Sequence, residues 1–399
     1  MFIRGKHIFS VFIGHLLFFW VGTGAAQQVQ SLQYYSDLAA RRDLLSVSGY
    51  RSLALREQKP QNLPLPEFNS QIPLFSEWAS PLVKNGALPI ALDQSSTSGP
   101  YHRMFIDTNN DGFLHDETAI NATWSDQNNA SLGPVEVTLS HQDKSIKYHL
   151  KFEFFSIEDT RQFTAYSDGQ YEGEITIGSE TKECVLVDYN ANGTFNDKSL
   201  DPRQSDRIQI GKPDNRYVNT FSYCGNFVEV DGVLYQMEIS PAGSNIKLTP
   251  AENVSFGSVS VPEDIDELVV FGENGSFSFN PTPEKIKLPA GTYQIEQWVM
   301  VRRDEKDDQW KLSGSEFDEA GHFAVSADIE THLEIGEPVT CSLDIFDTGR
   351  GDYTLTQILK GKLGEKVRLM VNGALPGDLK IVVQDAAGVH QHTAYLADA

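Results

Sequence analysis

Basic residues are scarce in this chain: 32 Lys and Arg stand against 55 Asp and Glu, a formal charge of −23 over 399 residues. Such a surface repels phosphate backbones and anionic lipid headgroups, which excludes nucleic-acid binding and favours cations or basic partners. Cysteine is nearly absent, with Cys184, Cys224 and Cys341 alone, too few for a disulfide-dense scaffold. One bridge can form in an oxidising compartment. Cys184 and Cys224, both in strand-like segments, are the expected pair, and Cys341 then reads as a buried thiol with no His or basic cluster to activate it. Catalytic signatures are missing as well. The chain has no His-Glu-x-x-His, no Gly-x-Ser-x-Gly, no Gly-x-x-x-x-Gly-Lys-Ser/Thr and no Cys-x-x-Cys. Glu153, Glu158 and Asp159 offer carboxylates of the kind that hydrolyse glycosides, and His390 and His392 sit two apart, but neither set has a third partner that defines a reaction. The expectation is a protein without catalysis.

Long apolar runs are limited to one. Residues 8–21 follow Arg4 and Lys6 and precede Thr23-Gly24-Ala25-Ala26, the order of a secretory leader over residues 1–26. A run of that length is short for a bilayer span, and no cysteine follows it to carry lipid. The chain is therefore expected to be exported, to the periplasm, the cell surface or the medium.

Its length exceeds what one hydrophobic core serves, so several domains are expected. Residues 27–100 read as a helix near the start, from the spacing of Leu32, Tyr35, Leu38, Leu44 and Leu45, followed by a Pro-rich wrapping segment anchored by Leu74, Phe75 and Trp78. From Tyr101 onward the pattern changes to strands and turns. Lys147 to Phe154 alternates polar with apolar, and Asp231-Gly232 and Asn274-Gly275 mark tight hairpins. Further hairpins are expected over residues 293–312 and 367–383. The fold class is mainly β: serial antiparallel sandwich-like domains, cut at glycines into residues 101–178, 179–256, 257–335 and 336–399.

Two stretches in this pattern carry chemistry. In residues 105–117, Asp107, Asn109 and Asp111 stand at alternate positions before Gly112, with the Phe113 carbonyl next and Asp116 or Glu117 to close the set. Short oxygen-bearing side chains at alternate positions around a glycine satisfy a hard cation that wants six to eight oxygens, so calcium is the expected cofactor. Residues 186–197 echo the arrangement. Asp188, Asn190 and Asn192 precede Gly193, with the Thr194 carbonyl and Asp197 following, and Asp201 or Asp206 available to complete the shell.

These stretches resemble the calcium loops of EF-hands, of dockerin repeats and of thrombospondin type-3 repeats, without the helical flanks of the first two. More broadly, the chain from Tyr101 is similar to exported bacterial proteins assembled from β units with embedded Asp-x-Asn-x-Asp/Asn-Gly loops. Residues 288–293, Leu-Pro-Ala-Gly-Thr-Tyr, resemble a strand entry of carboxypeptidase-regulatory-like sandwiches. The resemblance implies calcium and export, and no activity. A structural or adhesive role is therefore expected, with a surface glycan or an envelope protein as partner. The alternative is a carbohydrate-binding module or accessory part of a glycan-processing system, with Trp298 presented on the more polar face of its strand to stack on sugar.

Overall fold

The computed structural model describes residues 29–36, 49–94, 96, 99–157, 160–211, 221–281, 285–349, 352–376, 379–384, 387, 389 and 391–396. The expected leader lies outside them, as do Glu158, Asp159 and His390. The described residues form strands throughout, with a single 3-10 turn at Glu319–Gly321. No described helix is long and apolar enough to cross a membrane.

The largest sheet of the first half is eight-stranded. In spatial order it runs β3 (Tyr50–Leu53), β10 (Thr160–Ser167), β9 (Lys144–Ile157), β8 (Asn129–His141), β7 (Ile120–Ser125), β6 (Tyr101–Ile106), β5 (Ala87–Gln94) and β4 (Leu74–Ala79). Its two edges nearly meet, because Arg56, just beyond β3, exchanges backbone hydrogen bonds of 2.9 and 2.8 Å with Phe75 of β4. The sheet is thereby curled almost into a barrel, which leaves little edge to aggregate. The alternation of Lys147 to Phe154 follows from this curvature: Tyr148, Leu150, Phe152 and Phe154 face inward and are buried.

Two smaller antiparallel sheets pack on it. One orders β14 (Ser222–Tyr223), β13 (Arg207–Ile210), β12 (Glu180–Val187), β11 (Gly169–Ile177) and β2 (Gln33–Ser36). The other orders β1 (Gln30–Ser31), β17 (Asn245–Pro250), β16 (Val233–Ile239) and β15 (Phe227–Val230). One hydrophobic core joins all three, with members from Leu32 to Leu248, so it draws on side chains from both sides of the expected joins at residues 100 and 178.

The second half has a core of its own, with members from Val259 to Val367. Its main sheet orders β20 (Gly275–Phe279), β19 (Glu267–Gly272), β22 (Gly291–Arg303), β23 (Gln309–Ser315), β28 (Lys366–Val371), β27 (Asp352–Lys360) and β26 (Thr340–Gly349), with β24 (His322–Val325) on β22. A three-stranded sheet of β21 (Ile286–Pro289), β18 (Phe256–Ser260) and β25 (Glu330–His332) closes the core; its β18–β25 pair is parallel. β29 (Leu379–Gln384) and β30 (Gln391–Leu396) pair with each other.

Several local expectations are corrected. The helix expected at residues 29–46 is strand where it is described, because β1 pairs with β17 and β2 with β11; long-range pairing outweighs local propensity, and residues 37–48 lie outside the description. The Pro-rich segment wraps only in part. Leu63, Leu65 and Phe68 cover a small outer cluster of Phe75, Ala91, Phe105 and Leu114, whereas residues 74–79 and 87–94 are regular strands. The hairpin expected at 367–383 does not form: Asn372 and Gly373 turn the chain so that Val371 meets Ala374, and β29 pairs onward to β30. Cys184 and Cys224 are free and buried. In the ladder Cys184 faces Ile210 while Tyr223, next to Cys224, faces Arg207, an offset along the strands that a disulfide cannot bridge. Cys341 is exposed on β26, not buried, because that strand lies at the sheet edge.

Candidate metal centre

The two Asp-Gly loops fold alike. Each begins where a buried strand ends, at Asp107 after β6 and at Asp188 after β12, and each starting aspartate is itself buried. In the first loop Asp107 accepts the N–H of Asp111 at 3.1 Å and of Gly112 at 2.7 Å. In the second Asp188 accepts the N–H of Asn192 at 3.1 Å and of Gly193 at 2.6 Å. The side chain five positions into each loop, Asp111 or Asn192, then accepts the N–H of Phe113 or Thr194. Left-handed backbone recurs at matching places, Asn110 with Ala191 and Gly112 with Gly193. Asn110, Gly112 and Gly193 are residue types that permit positive φ, whereas Ala191 adopts it against its own preference and gives no signal in sequence.

They differ in how they close. In the first loop Glu117 turns back and takes both donors of Thr108, the N–H at 2.7 Å and the hydroxyl at 2.8 Å. Burial raises the pKa values of Asp107 and Glu117, against the backbone and hydroxyl donors that lower them. Asn109, Asp111 and Asp116 are exposed, and Asp116 leans toward His115 on the surface. Phe113 is also exposed. This loop is a hydrogen-bonded acidic turn whose two inner carboxylates are occupied by its own donors.

The second loop is enclosed. Asp197 Oδ2 accepts the amide nitrogens of Asn190 at 3.1 Å and Asn192 at 2.6 Å and the hydroxyl of Thr194 at 2.7 Å. Asp206, fully buried, reaches in from just before β13 and accepts the N–H of Tyr189 at 3.0 Å and of Asp197 at 2.8 Å. Of the two residues weighed for completing this set, Asp206 therefore joins it and Asp201 does not; Asp201 instead accepts its neighbour Arg203. The Thr194 hydroxyl also lies 2.6 Å from Asn192 Oδ1.

Two residues of the eight-stranded sheet pack against this loop. Tyr148 donates its hydroxyl to Asp188 at 2.6 Å, and Trp78 stacks on Tyr148 and donates its indole N–H to the Ala191 carbonyl at 2.8 Å. Neither carries a sequence signal for the site, since both read as core aromatics. A Cβ on Gly193 would lie 2.8 Å from the Ser80 hydroxyl and 3.0 Å from Trp78, so the loop is pressed onto these residues and only glycine fits.

The electrostatics are unbalanced. Burial, then the charge of Asp197, pushes Asp188 up to about 7, and burial with the charges of Asp188 and Asp197 raises Asp206 well above an ordinary carboxylate. No described Lys, Arg or His forms an ion pair with Asp188, Asp197 or Asp206; Arg207, adjacent in sequence, turns away to lie between the rings of Tyr189 and Tyr223, 4.0 and 3.8 Å from their centres. Asn190, 4% exposed, keeps its Oδ1 buried without a hydrogen-bond partner.

No family model, curated protein or solved structure matches this chain. The donor set must therefore speak for itself. It consists of carboxylate and hydroxyl oxygens and two side-chain amides, the donor types that a hard cation such as calcium takes. Among the described residues no three His, Cys, Asp or Glu side chains are disposed to grip an ion together. Two of the donors are amides, however. Rotating Asn190 and Asn192 about their terminal bonds exchanges the nitrogens now on Asp197 for oxygens, and amide orientation follows whatever occupies the centre.

Trp298 is not part of any binding face. It is 0% exposed, its indole donates to Glu365 Oε1 at 2.7 Å, and a Cβ on Gly314 would lie 2.2 Å from its ring. β22 is buried on both faces at this point, since Trp298, Val299 and Met300 are all covered, and its alternation conveys no polar side. The expected stacking on sugar is withdrawn. Glu153 lies exposed on β9 and accepts the Tyr166 hydroxyl at 3.0 Å.

Proposed function

We propose that this protein is an exported, non-catalytic β scaffold in which calcium binds the second loop and stiffens the joint between the two cores. The observation that carries the reading is the gathering of Asp188, Asp197 and Asp206 with the amides of Asn190 and Asn192 and, among the described residues, no ion-paired cationic side chain, beside an Asn190 Oδ1 that is buried without a hydrogen-bond partner. Asp188, Asn190, Asn192, Thr194, Asp197 and Asp206 would hold the ion, which supplies the positive charge that the buried carboxylates lack. The first loop, with Asp107 and Glu117 inward and Asp111 near the surface, is the weaker site.

The same loop reaches the joint. Tyr189 lies against Arg207, Arg207 against Tyr223, and Tyr223 stacks on Phe271 with ring centres 4.1 Å apart and donates its hydroxyl to Glu296 at 2.7 Å. Phe271 and Glu296 belong to β19 and β22 of the second core. Order in the loop is thus order in the interface, and the role is mechanical: presentation of the second half at a fixed angle on a cell surface or in an envelope. At free calcium about 100 times the dissociation constant, binding adds roughly 2.7 kcal/mol to folding. Titration calorimetry with calcium tests the reading, with Asn190→Ala and Asp197→Ala as variants. Binding that both variants abolish supports it; no heat of binding in the intact protein at millimolar calcium refutes it.

A further inference from the structure

The main sheet of the second half is split. β27 and β28 are consecutive and antiparallel, yet they pair only at Lys360 and Lys366, beside the turn that joins them. Beyond that point β28 is paired to β23 alone and β27 to β26 alone. Two open strand edges therefore face each other across a groove of about 570 Å³ floored by Ile358, Leu359, Val367 and Leu369. Basic groups rim it: Lys360, Lys366 and Arg368 stand against one acid, Glu316, which pairs with Lys366 at 3.3 Å. In a chain this acidic, such a rim selects an acidic occupant.

The same sheet ends in an edge strand of matching chemistry. β26 reads Thr-Cys-Ser-Leu-Asp-Ile-Phe-Asp-Thr-Gly, with no Lys or Arg. Among the described residues no strand pairs with its outer edge over Thr340 to Asp347, and Leu343, Ile345 and Phe346 are exposed, Ile345 at 62%. A long apolar edge strand left open is a template for strand addition. The alternation agrees along the middle of each strand: β26 places Leu343 and Ile345, followed by Asp347, on one face and Asp344 with Phe346 on the other, while β28 places Val367 and Leu369 on one face and Lys366 and Arg368, followed by Met370, on the other.

The geometry points to head-to-tail self-assembly, in which β26 of one molecule enters the β27–β28 groove of a second copy and extends its sheet along β28. Apolar side chains then meet apolar, and Asp344 meets the Lys366 and Arg368 side. The contact joins two different surfaces, so the second copy keeps its own β26 free and assembly continues as an open chain or ring. This inference stands on the second half alone and is independent of the calcium reading.

Sedimentation velocity of the whole protein tests it, using Ile345→Lys to block β26 and Arg368→Glu to block the groove. Both positions are exposed, and unchanged thermal melts of the two variants establish that they fold. The intact protein is expected to form larger species with rising concentration, and each variant alone to stay monomeric. Mixed in equal amounts, the variants should give a dimer and nothing larger, because one supplies the strand and the other the groove. Alkylation of Cys341, exposed on β26, should slow in the assembled protein. An intact protein that remains monomeric up to about 100 µM, within reach of a weak interface, overturns the inference. So does a closed dimer that both variants still form, or a mixture of variants that stays monomeric.

Discussion

The carboxylates of the second loop give the cation-free protein an unusual dependence on pH. Asp188 titrates near 3.8 when unfolded and at about 7 when folded, because burial and the charge of Asp197 penalise its ionised form. The folded state thus holds a proton that the unfolded state has released. Stability from this group is intact below about pH 4 and falls as the pH rises toward 7. At about 1.36 kcal/mol per unit, a window of roughly three units amounts to on the order of 4 kcal/mol. Asp206 is shifted the same way and adds to the loss. Bound calcium reverses the balance, since its ligands must be ionised and the ion removes their mutual repulsion. The informative quantity is therefore the difference in Tm between calcium and chelator, measured at steps from pH 4.5 to 7.5, which cancels the titration of every group that calcium does not touch. That difference should be small at pH 4.5 and widen by roughly 10 °C by pH 7.5 for a core unit of this size. In Asp206→Asn it should shrink. A difference that is zero, or that does not grow with pH, refutes both the buried-charge argument and the metal centre built on it.

Other outcomes follow from single contacts. Trp78→Phe keeps the ring on Tyr148 but loses the bond to the Ala191 carbonyl, so it should cost about 1 kcal/mol in denaturant melts and weaken calcium binding measured by calorimetry. Trp298→Ala should lower stability by about 3 to 5 kcal/mol in the same melts, the cost of emptying a core site and leaving Glu365 buried without its donor; an unchanged melt would restore a surface role for that ring. Gly314→Ala should destabilise by at least about 1 to 3 kcal/mol, because its methyl meets the indole at 2.2 Å. In native protein a thiol reagent should modify Cys341 alone, with Cys184 and Cys224 reacting only on unfolding.

How much of this was legible depended on whether the signal was local. The Asp231-Gly232 turn between β15 and β16 and the Asn274-Gly275 turn between β19 and β20 were, because the positive φ that Asp231, Gly232 and Gly275 adopt is a property of the residues themselves. The two metal-type loops were legible for the same reason, down to the residues that recur in both. What failed depended on partners distant in the chain. Residues 30–36 have helical spacing yet are strands because β11 and β17 offer edges more than a hundred positions away. Trp298 shares a strand face with Gln294, Glu296 and Arg302 yet is enclosed, because β22 is buried on both faces at this point. The packing of the second loop was equally hidden: Tyr148 and Trp78 meet it only once the eight-stranded sheet curls, and no spacing in the chain reports that curvature.

The Arg207 sandwich has a further consequence. A guanidinium held between two rings, with its nitrogens on the carbonyls of Pro202 and Ser205, resists tilting but has no covalent tether to the second half. Force applied along the molecule would be shared between Tyr223, where a stacked ring and one hydroxyl bond cross to β19 and β22, and the neighbouring turn, where Asn226 and Phe227 donate their N–H groups to the carbonyls of Glu273 and Asn274. Under load the two cores should part along this seam while each stays folded, and on the proposed reading the force at which they part should rise with added calcium.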